Sequence, residues 1–261
     1  MYLNLGLTNQ NYKNNYIEVE DFGDNTLYKV LKHNKTNKEF FFIKILKTLS
    51  RLQLIKDKQV LNFNRQKYKV QKYEDKTLLN EAKLFSEWYA PTKINKFQIR
   101  KFKKGYENEV KKLLSKLNLK NDTFVHRDFH VSNLMYVKNN IAVIDSQDAL
   151  IGNKAYDLAS LVDDVRFKTS NKQKNKILNN YFKKLKKNEI KEFINDFEIL
   201  SVLRNLKIIG IFMRLALRDN KKKYAKMIPY AWEMINYRMR KNREFNSLKL
   251  ILKHNFPKFV K

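Results

Sequence analysis

The sequence predicts an α+β chain in which helices dominate. Three observations lead there. The order of elements is a strand, then helices, then a small hairpin, then many helices. Five glycines and three prolines leave few tight loops. An apolar fraction of 43%, with 13% aromatics, is enough to bury a substantial core in a chain of 261 residues.

The elements follow in order. "YIEVEDFGD" (16–24) alternates and then turns at Gly23, which predicts a strand with an exit loop. "EFFFIKILKTLSRLQLI" (39–55) has its apolar residues at helical spacing, as does "KTLLNEAKLFSEWYA" (76–90), which Pro91 closes. A third, strongly basic helix is expected over 97–117. "TFVH" is a short strand-like run. "NLMYVKNNIAVID" (133–145) holds two apolar strands around Asn139-Asn140, and asparagine tolerates the positive φ of a hairpin turn. "AYDLASLVDDVRF" is helical again, and nearly everything over 172–253 follows suit, with 190–217 the most apolar part.

Net charge is +29, from 55 Lys and Arg against 26 Asp and Glu. The lysines are scattered along the whole chain, arginine is scarce and asparagine abundant, a usage that an AT-rich genome produces by default. Dispersed charge of this kind marks solvated helix faces, so neither nucleic acid nor membrane is the expected partner, although the positive potential would attract an anionic substrate. Cysteine is absent, which excludes disulfides, thiolate catalysis and Cys-ligated zinc and fits a reducing cytoplasm. No apolar run approaches 18 residues, so no membrane span is expected, and "MYLNLGLTNQ" has no readable signal peptide.

The chemistry lies in "FVHRDFHVSNLM" (124–135). Its spacing is H-R-D-x-x-x-x-N, from His126, Arg127, Asp128 and Asn133, and Asp145 ends an apolar strand twelve residues later. This is a phosphoryl-transfer pattern. An attacking hydroxyl needs an acceptor for its proton, and Asp128 supplies a carboxylate. Magnesium on the nucleotide phosphates takes hard oxygen ligands, and Asn133 and Asp145 offer an amide oxygen and a carboxylate. The hairpin should bring these two side by side, because paired strand ends lie about 5 Å apart. Ser146-Gln147 follows Asp145 with no D-F-G, and no A-P-E comes after, so a protein kinase is a poor fit.

His130 completes "HxDxHxxN", the form found in small-molecule kinases, and here the chain resembles the aminoglycoside phosphotransferase and choline kinase superfamily. Within it, "VIDSQDALIGNKAYDLASLVDD", "IEVEDFGDNTLY", "LLNEAKLFSEWY" and "LRNLKIIGIFMRLALRDNKKKYAKMIPYAW" look like blocks of the bacterial N-acetylmuramate/N-acetylglucosamine anomeric kinases, running from about residue 16 to about residue 235. Ser146 departs from the usual aromatic. The resemblance implies a protein-kinase-like fold, mainly its helical C-terminal lobe, with ATP and Mg2+ as cofactors. It makes Asp128 the catalytic base, Asn133 and Asp145 the magnesium ligands, and Glu20 to Phe22 the hinge whose backbone holds adenine. Asp157 would brace the catalytic loop through backbone N–H groups. Arg127 and His130 would order that loop, and His126 would pack under it rather than transfer protons, because Asp128 already supplies the base. Gln147 and Asp148 could face the sugar or be solvated loop residues. Trp88 could stack on a sugar ring or pair with Glu81 at a core edge. Arg204 is either a buried salt-bridge partner or a substrate ligand.

A kinase-like N-lobe needs strands over the phosphates and a lysine that pairs with them. Only about fifteen residues precede the presumed hinge strand, with one glycine, Gly6, and "MYLNLGL" reads as the tail of the lobe's helix region. The expected division is therefore 1–24 as N-lobe remnant and hinge, and 25–261 as the helical lobe carrying the catalytic loop (124–148), with the N-lobe largely missing. The expected activity is ATP-dependent phosphorylation of an N-acetylated amino sugar in cell-wall recycling. The alternatives are an inactive kinase-like protein that binds a nucleotide or partner, and a basic nucleic-acid binder.

Overall fold

The computed structural model describes residues 3–4, 7–11, 14, 16–33, 37–56, 59–61, 66–240 and 242–260. Along the chain run β1 (Leu3–Asn4), β2 (Leu7–Asn11), β3 (Tyr16–Val19), α1 (Leu27–His33), α2 (Lys38–Leu52), β4 (Gln59–Leu61), β5 (Lys67–Lys69), α3 (Asp75–Leu84) and α4 (Lys96–Leu114). Then come β6 (Asn121–Val125), β7 (Leu134–Val137), β8 (Asn140–Val143), β9 (Leu150–Asn153), α5 (Ala155–Val162), α6 (Asn171–Phe182), α7 (Lys187–Leu217), α8 (Ile228–Met239) and α9 (Asn246–Asn255). The α+β expectation, with helices dominant, holds. The chain divides into two compact units, one of residues 1–71, 122–162 and 169–184, the other of 72–121, 163–168 and 185–261.

The first unit is built around the β7–β8 hairpin. Its two-residue turn is Lys138-Asn139, with φ of 45° and 63°, the left-handed pair that matches the strand twist. The turn thus falls one residue before the expected Asn139-Asn140, and Asn140 instead pairs with Val137. β1 adds to β8 in parallel, with Leu3 opposite Ala142. The expected helical tail at "MYLNLGL" is therefore wrong where the residues are described: β1 and β2 are strands, and β2 pairs antiparallel with β3; Gly6 lies outside the described residues. Past β3 the chain turns at Gly23, whose φ of +68° suits a residue without Cβ. It then joins the hairpin, where Asn25 O accepts from Tyr136 N at 2.9 Å. Phe22, Met135 and Ala142 are buried together there, with Val137 and Ile144 packed on them.

α2 covers the hairpin's other side. Asn37 caps it by accepting from Phe40 N, and Phe41, Phe42, Ile45, Leu46, Leu49 and Leu52 form its buried stripe. Each such side chain contributes about 1.5–3 kcal/mol by burial.

The second unit centres on α7, 31 residues long and buried at most positions through its middle, from Ile199 to Phe212. Gly210 is what lets α3 approach it: a Cβ there would stand 2.3 Å from the Leu84 carbonyl carbon. At that contact α3 changes to a π turn over Phe85–Tyr89. The sequence pattern had this stretch as regular helix to Ala90. Phe85 and Tyr89 enter an aromatic cluster with Trp232 and Phe256. Asp163, fully buried, takes two bonds from Arg238 at 2.7 and 3.1 Å and one from Ser201 at 2.6 Å.

Candidate active site

β6 delivers its chain directly into the loop. His126 and Arg127 point their backbone N–H groups at the two carboxylate oxygens of Asp157, at 2.7 and 3.0 Å. Asp157 is buried in the first turn of α5, where a carboxylate also meets the positive end of the helix. Arg127 adopts φ +73° to present its amide this way. Its guanidinium then donates to the Asp148 carbonyl at 3.2 Å and ties this loop to the one after β8.

Asp128 is half-buried, and its backbone carbonyl accepts from His130 N at 2.9 Å and from Asn133 Nδ2 at 3.1 Å. Asn133 and Asp145 close the open end of the hairpin: Ile144 N donates to Asn133 O at 3.1 Å, and Asn133 Nδ2 reaches Asp145 Oδ2 at 3.3 Å. With Nδ2 so used, Oδ1 is the atom Asn133 has left for a metal. Asp145 is exposed, has φ +67°, and takes a 2.7 Å bond from Gln147 Nε2 at its other oxygen.

The two histidines are buried. His126 Nε2 lies 2.9 Å from the Ile144 carbonyl, which can only accept, so Nε2 carries the proton. Burial holds its pKa below the usual histidine range, against the Ile144 bond and the charges of Asp128 and Asp145, which pull it up.

The structure thus gathers Asp128, Asn133, Asp145, Gln147 and the Asp148 carbonyl in one unit. Glu20 is half-buried, and Phe22 is buried against the same hairpin. Trp88 and Arg204 belong to the other unit. Trp88 is half-buried in the π turn, whose extra residue per turn takes it off the straight face it was expected to share with Glu81. Glu81 is instead held by Lys207 at 2.9 Å and by the Tyr73 hydroxyl. Arg204 is buried in α7.

One supporting relay has no sequence signal. Tyr181 Oη donates to Gln53 Oε1 at 2.8 Å, and Gln53 Nε2 donates to the Lys154 carbonyl at 2.8 Å, just before α5. It joins α6, α2 and the segment that carries Asp157.

The donor set suits magnesium on a nucleotide. Among the described residues no three His, Asp or Glu side chains form a metal cage. One carboxylate and one amide oxygen, both hard donors, are what magnesium takes from protein when phosphates supply the rest.

Residues 33–191 match the phosphotransferase enzyme family. The chain belongs to this family. Over 182 residues it is 34% identical to an N-acetylmuramate/N-acetylglucosamine kinase of Neisseria meningitidis, covering 67% of this chain and 54% of that protein. Among solved structures, this phosphotransferase is similar to an ethanolamine kinase of Plasmodium vivax, with TM-score 0.58 and 16% identity over 90% of this chain and 70% of that one. It is also similar to an ADP-bound aminoglycoside phosphotransferase, with TM-score 0.54 and 16% identity over 90% of this chain and 77% of that one. The fold is protein-kinase-like. The chain spans 50% to 64% of the length of the curated relatives it matches.

Proposed function

We propose that this phosphotransferase transfers the γ-phosphoryl group of ATP to a hydroxyl of a small molecule, the anomeric hydroxyl of an N-acetylated amino sugar. The observation that carries the reaction type is the convergence of Asp128, Asn133 and Asp145 on one hairpin end. The acceptor class is supported by the names of the curated relatives. Asp128 takes the proton of the attacking hydroxyl as its oxygen bonds to phosphorus and the β–γ bridging bond breaks toward ADP. Asn133 Oδ1 and the Asp145 carboxylate hold magnesium. When bound, that ion neutralises charge on the phosphates. Asp157 fixes the loop that carries Asp128. Gln147 orients Asp145, and it and Asp148 lie at positions that can meet the acceptor. Residues 1–24 carry the hinge, with the backbone of Glu20 to Phe22 on adenine, and 25–261 carry the helical lobe.

We infer that the protein acts in the cytoplasm, in cell-wall recycling. No helix among the described residues is long and apolar enough to cross a membrane.

The test is Mg-ATP turnover with N-acetylglucosamine and N-acetylmuramate. Loss of a general base costs about 10²–10⁴-fold, so Asp128→Asn should fall by that factor while nucleotide affinity persists. Undiminished turnover by Asp128→Asn would remove Asp128 from the reaction; turnover with choline or an aminoglycoside and not with either sugar would move the acceptor.

A further inference from the structure

The outer face of α2 and the turn end of the β7–β8 hairpin enclose a cavity of about 290 Å3. α2 sends Lys44, Lys47 and Arg51 into its lining, and the hairpin sends Asn140; among the described residues no acidic side chain lines it. Positions 44, 47 and 51 fall on one helical stripe, where like charges repel. Some surface lysines elsewhere are paired, as Lys111 with Glu107 at 2.8 Å and Lys176 with Glu39 at 2.9 Å. Among the described residues, Lys47 and Arg51 have no carboxylate partner. A fourth cation adds to them: Lys184 extends its Nζ to Ser50 Oγ at 2.7 Å. Burial and then the Lys47 charge hold its pKa below the usual lysine range. Lys44 is spoken for, since its Nζ donates to the Asn139 carbonyl at 2.6 Å and to Asn139 Oδ1 at 3.1 Å, pinning the turn.

Concentrating cations in a concavity without a counter-charge destabilises the folded chain, and an anion entering the cavity removes that cost. Arginine adds a planar fork matched to phosphate oxygens. We propose that this cavity is a binding site for a phosphate group, with Lys47 and Arg51 as its ligands and Lys184 supplying further positive potential. The hairpin strands are four residues long, so at about 3.3 Å per residue this end stands about 13 Å from Asn133 and Asp145. The site is separate from the candidate active site and does not depend on the function proposed for it.

The test is amide chemical-shift titration of the full chain with inorganic phosphate and with glucose 1-phosphate, at constant ionic strength set by chloride. Saturable shifts confined to residues 44–51, 139–141 and 184, weakened at least tenfold in Lys47→Ala/Arg51→Ala, are expected. Saturation by only one of the two probes distinguishes a free-phosphate site from one for a phosphorylated small molecule. Equal shifts with chloride alone, shifts spread over the whole lysine surface, or affinity unchanged in the double variant would overturn the site. Steeply salt-dependent duplex DNA binding through these residues, without saturation by either probe, would also overturn it in favour of a polynucleotide surface.

Discussion

Replacing Asp157 by asparagine tests the support of the catalytic loop with almost no change of shape. The carboxylate accepts two backbone N–H groups, from His126 at 2.7 Å and Arg127 at 3.0 Å, in a site where the residue is 1% exposed. An amide offers one oxygen and one NH2, so one of the two N–H groups must face a donor. A hydrogen bond to a charged group contributes about 1.5–3 kcal/mol, and a buried donor left unpaired costs about 1–3 kcal/mol. Arg127 also gives up part of what holds it at φ +73°, a conformation that costs about 1–2 kcal/mol. The expected loss is about 2–4 kcal/mol. At about 2–4 °C per kcal/mol for a chain of this size, the melting temperature should fall by roughly 4–16 °C. Amide exchange at His126 and Arg127 should accelerate more than at Leu134 or Val143 of the hairpin. A fall under 2 °C with both amides still protected would refute the claim that Asp157 holds this loop.

Gly210→Ala places a methyl group 2.3 Å from backbone of Leu84, which no rotamer can relieve; a net loss of about 2 kcal/mol or more is expected after the helix-propensity gain of alanine, read from the urea midpoint. Gln53→Leu removes the bonds that Gln53 makes with the Tyr181 hydroxyl and the Lys154 carbonyl and should cost about 1–3 kcal/mol, with faster exchange at His126 and Arg127 as its signature. His126 makes stability depend on pH. Its folded pKa is lowered by burial, so the unfolded chain takes up the proton more readily. The stabilising contribution is present above an unfolded pKa of about 6.5 and is lost as pH falls below it. Melting temperature should therefore drop between about pH 7 and pH 5, and more shallowly in His126→Gln, whose amide can still donate to the Ile144 carbonyl.

Where structure follows from local pattern, the sequence was readable. α2, α4 and α7 follow from apolar spacing, and the hairpin from two apolar runs around asparagine. Misses came where a residue's partner is distant or its conformation atypical. The turn shifted by one because Lys138, not Asn140, took the left-handed conformation. β9 escaped because "LIGN" is buried nearly throughout and so does not alternate. At the N-terminus the expected helical tail overlooks the alternation of Leu3, Leu5 and Leu7. The π turn at Phe85–Tyr89 lies where Gly210, far along the chain, meets the Leu84 backbone, and no periodicity announces it. The Gln53 relay likewise joins residues more than 100 positions apart.

The candidate site was legible for a different reason, which its backbone explains. Among the described residues five that are not glycine have positive φ: Arg127, Lys138, Asn139, Asp145 and Asn220. Lys138 and Asn139 are required by a hairpin turn. Arg127 and Asp145 sit in no such turn, yet they flank Asp128 and end the β8 strand beside Asn133. Strain of this kind persists only where several contacts over-determine it. Both positions have them: the amide bond to Asp157 and the guanidinium bond to Asp148 at Arg127, and the amide groups of Asn133 and Gln147 on the Asp145 carboxylate. A loop meant only to connect β6 to β7 would relax. This one is held at its strained points by Asp157, Asp148, Asn133 and Gln147; Asn133 stands at a motif interval from Asp128, so a pattern of types and intervals pointed to the loop, while the Gln53 relay that supports it gave no signal.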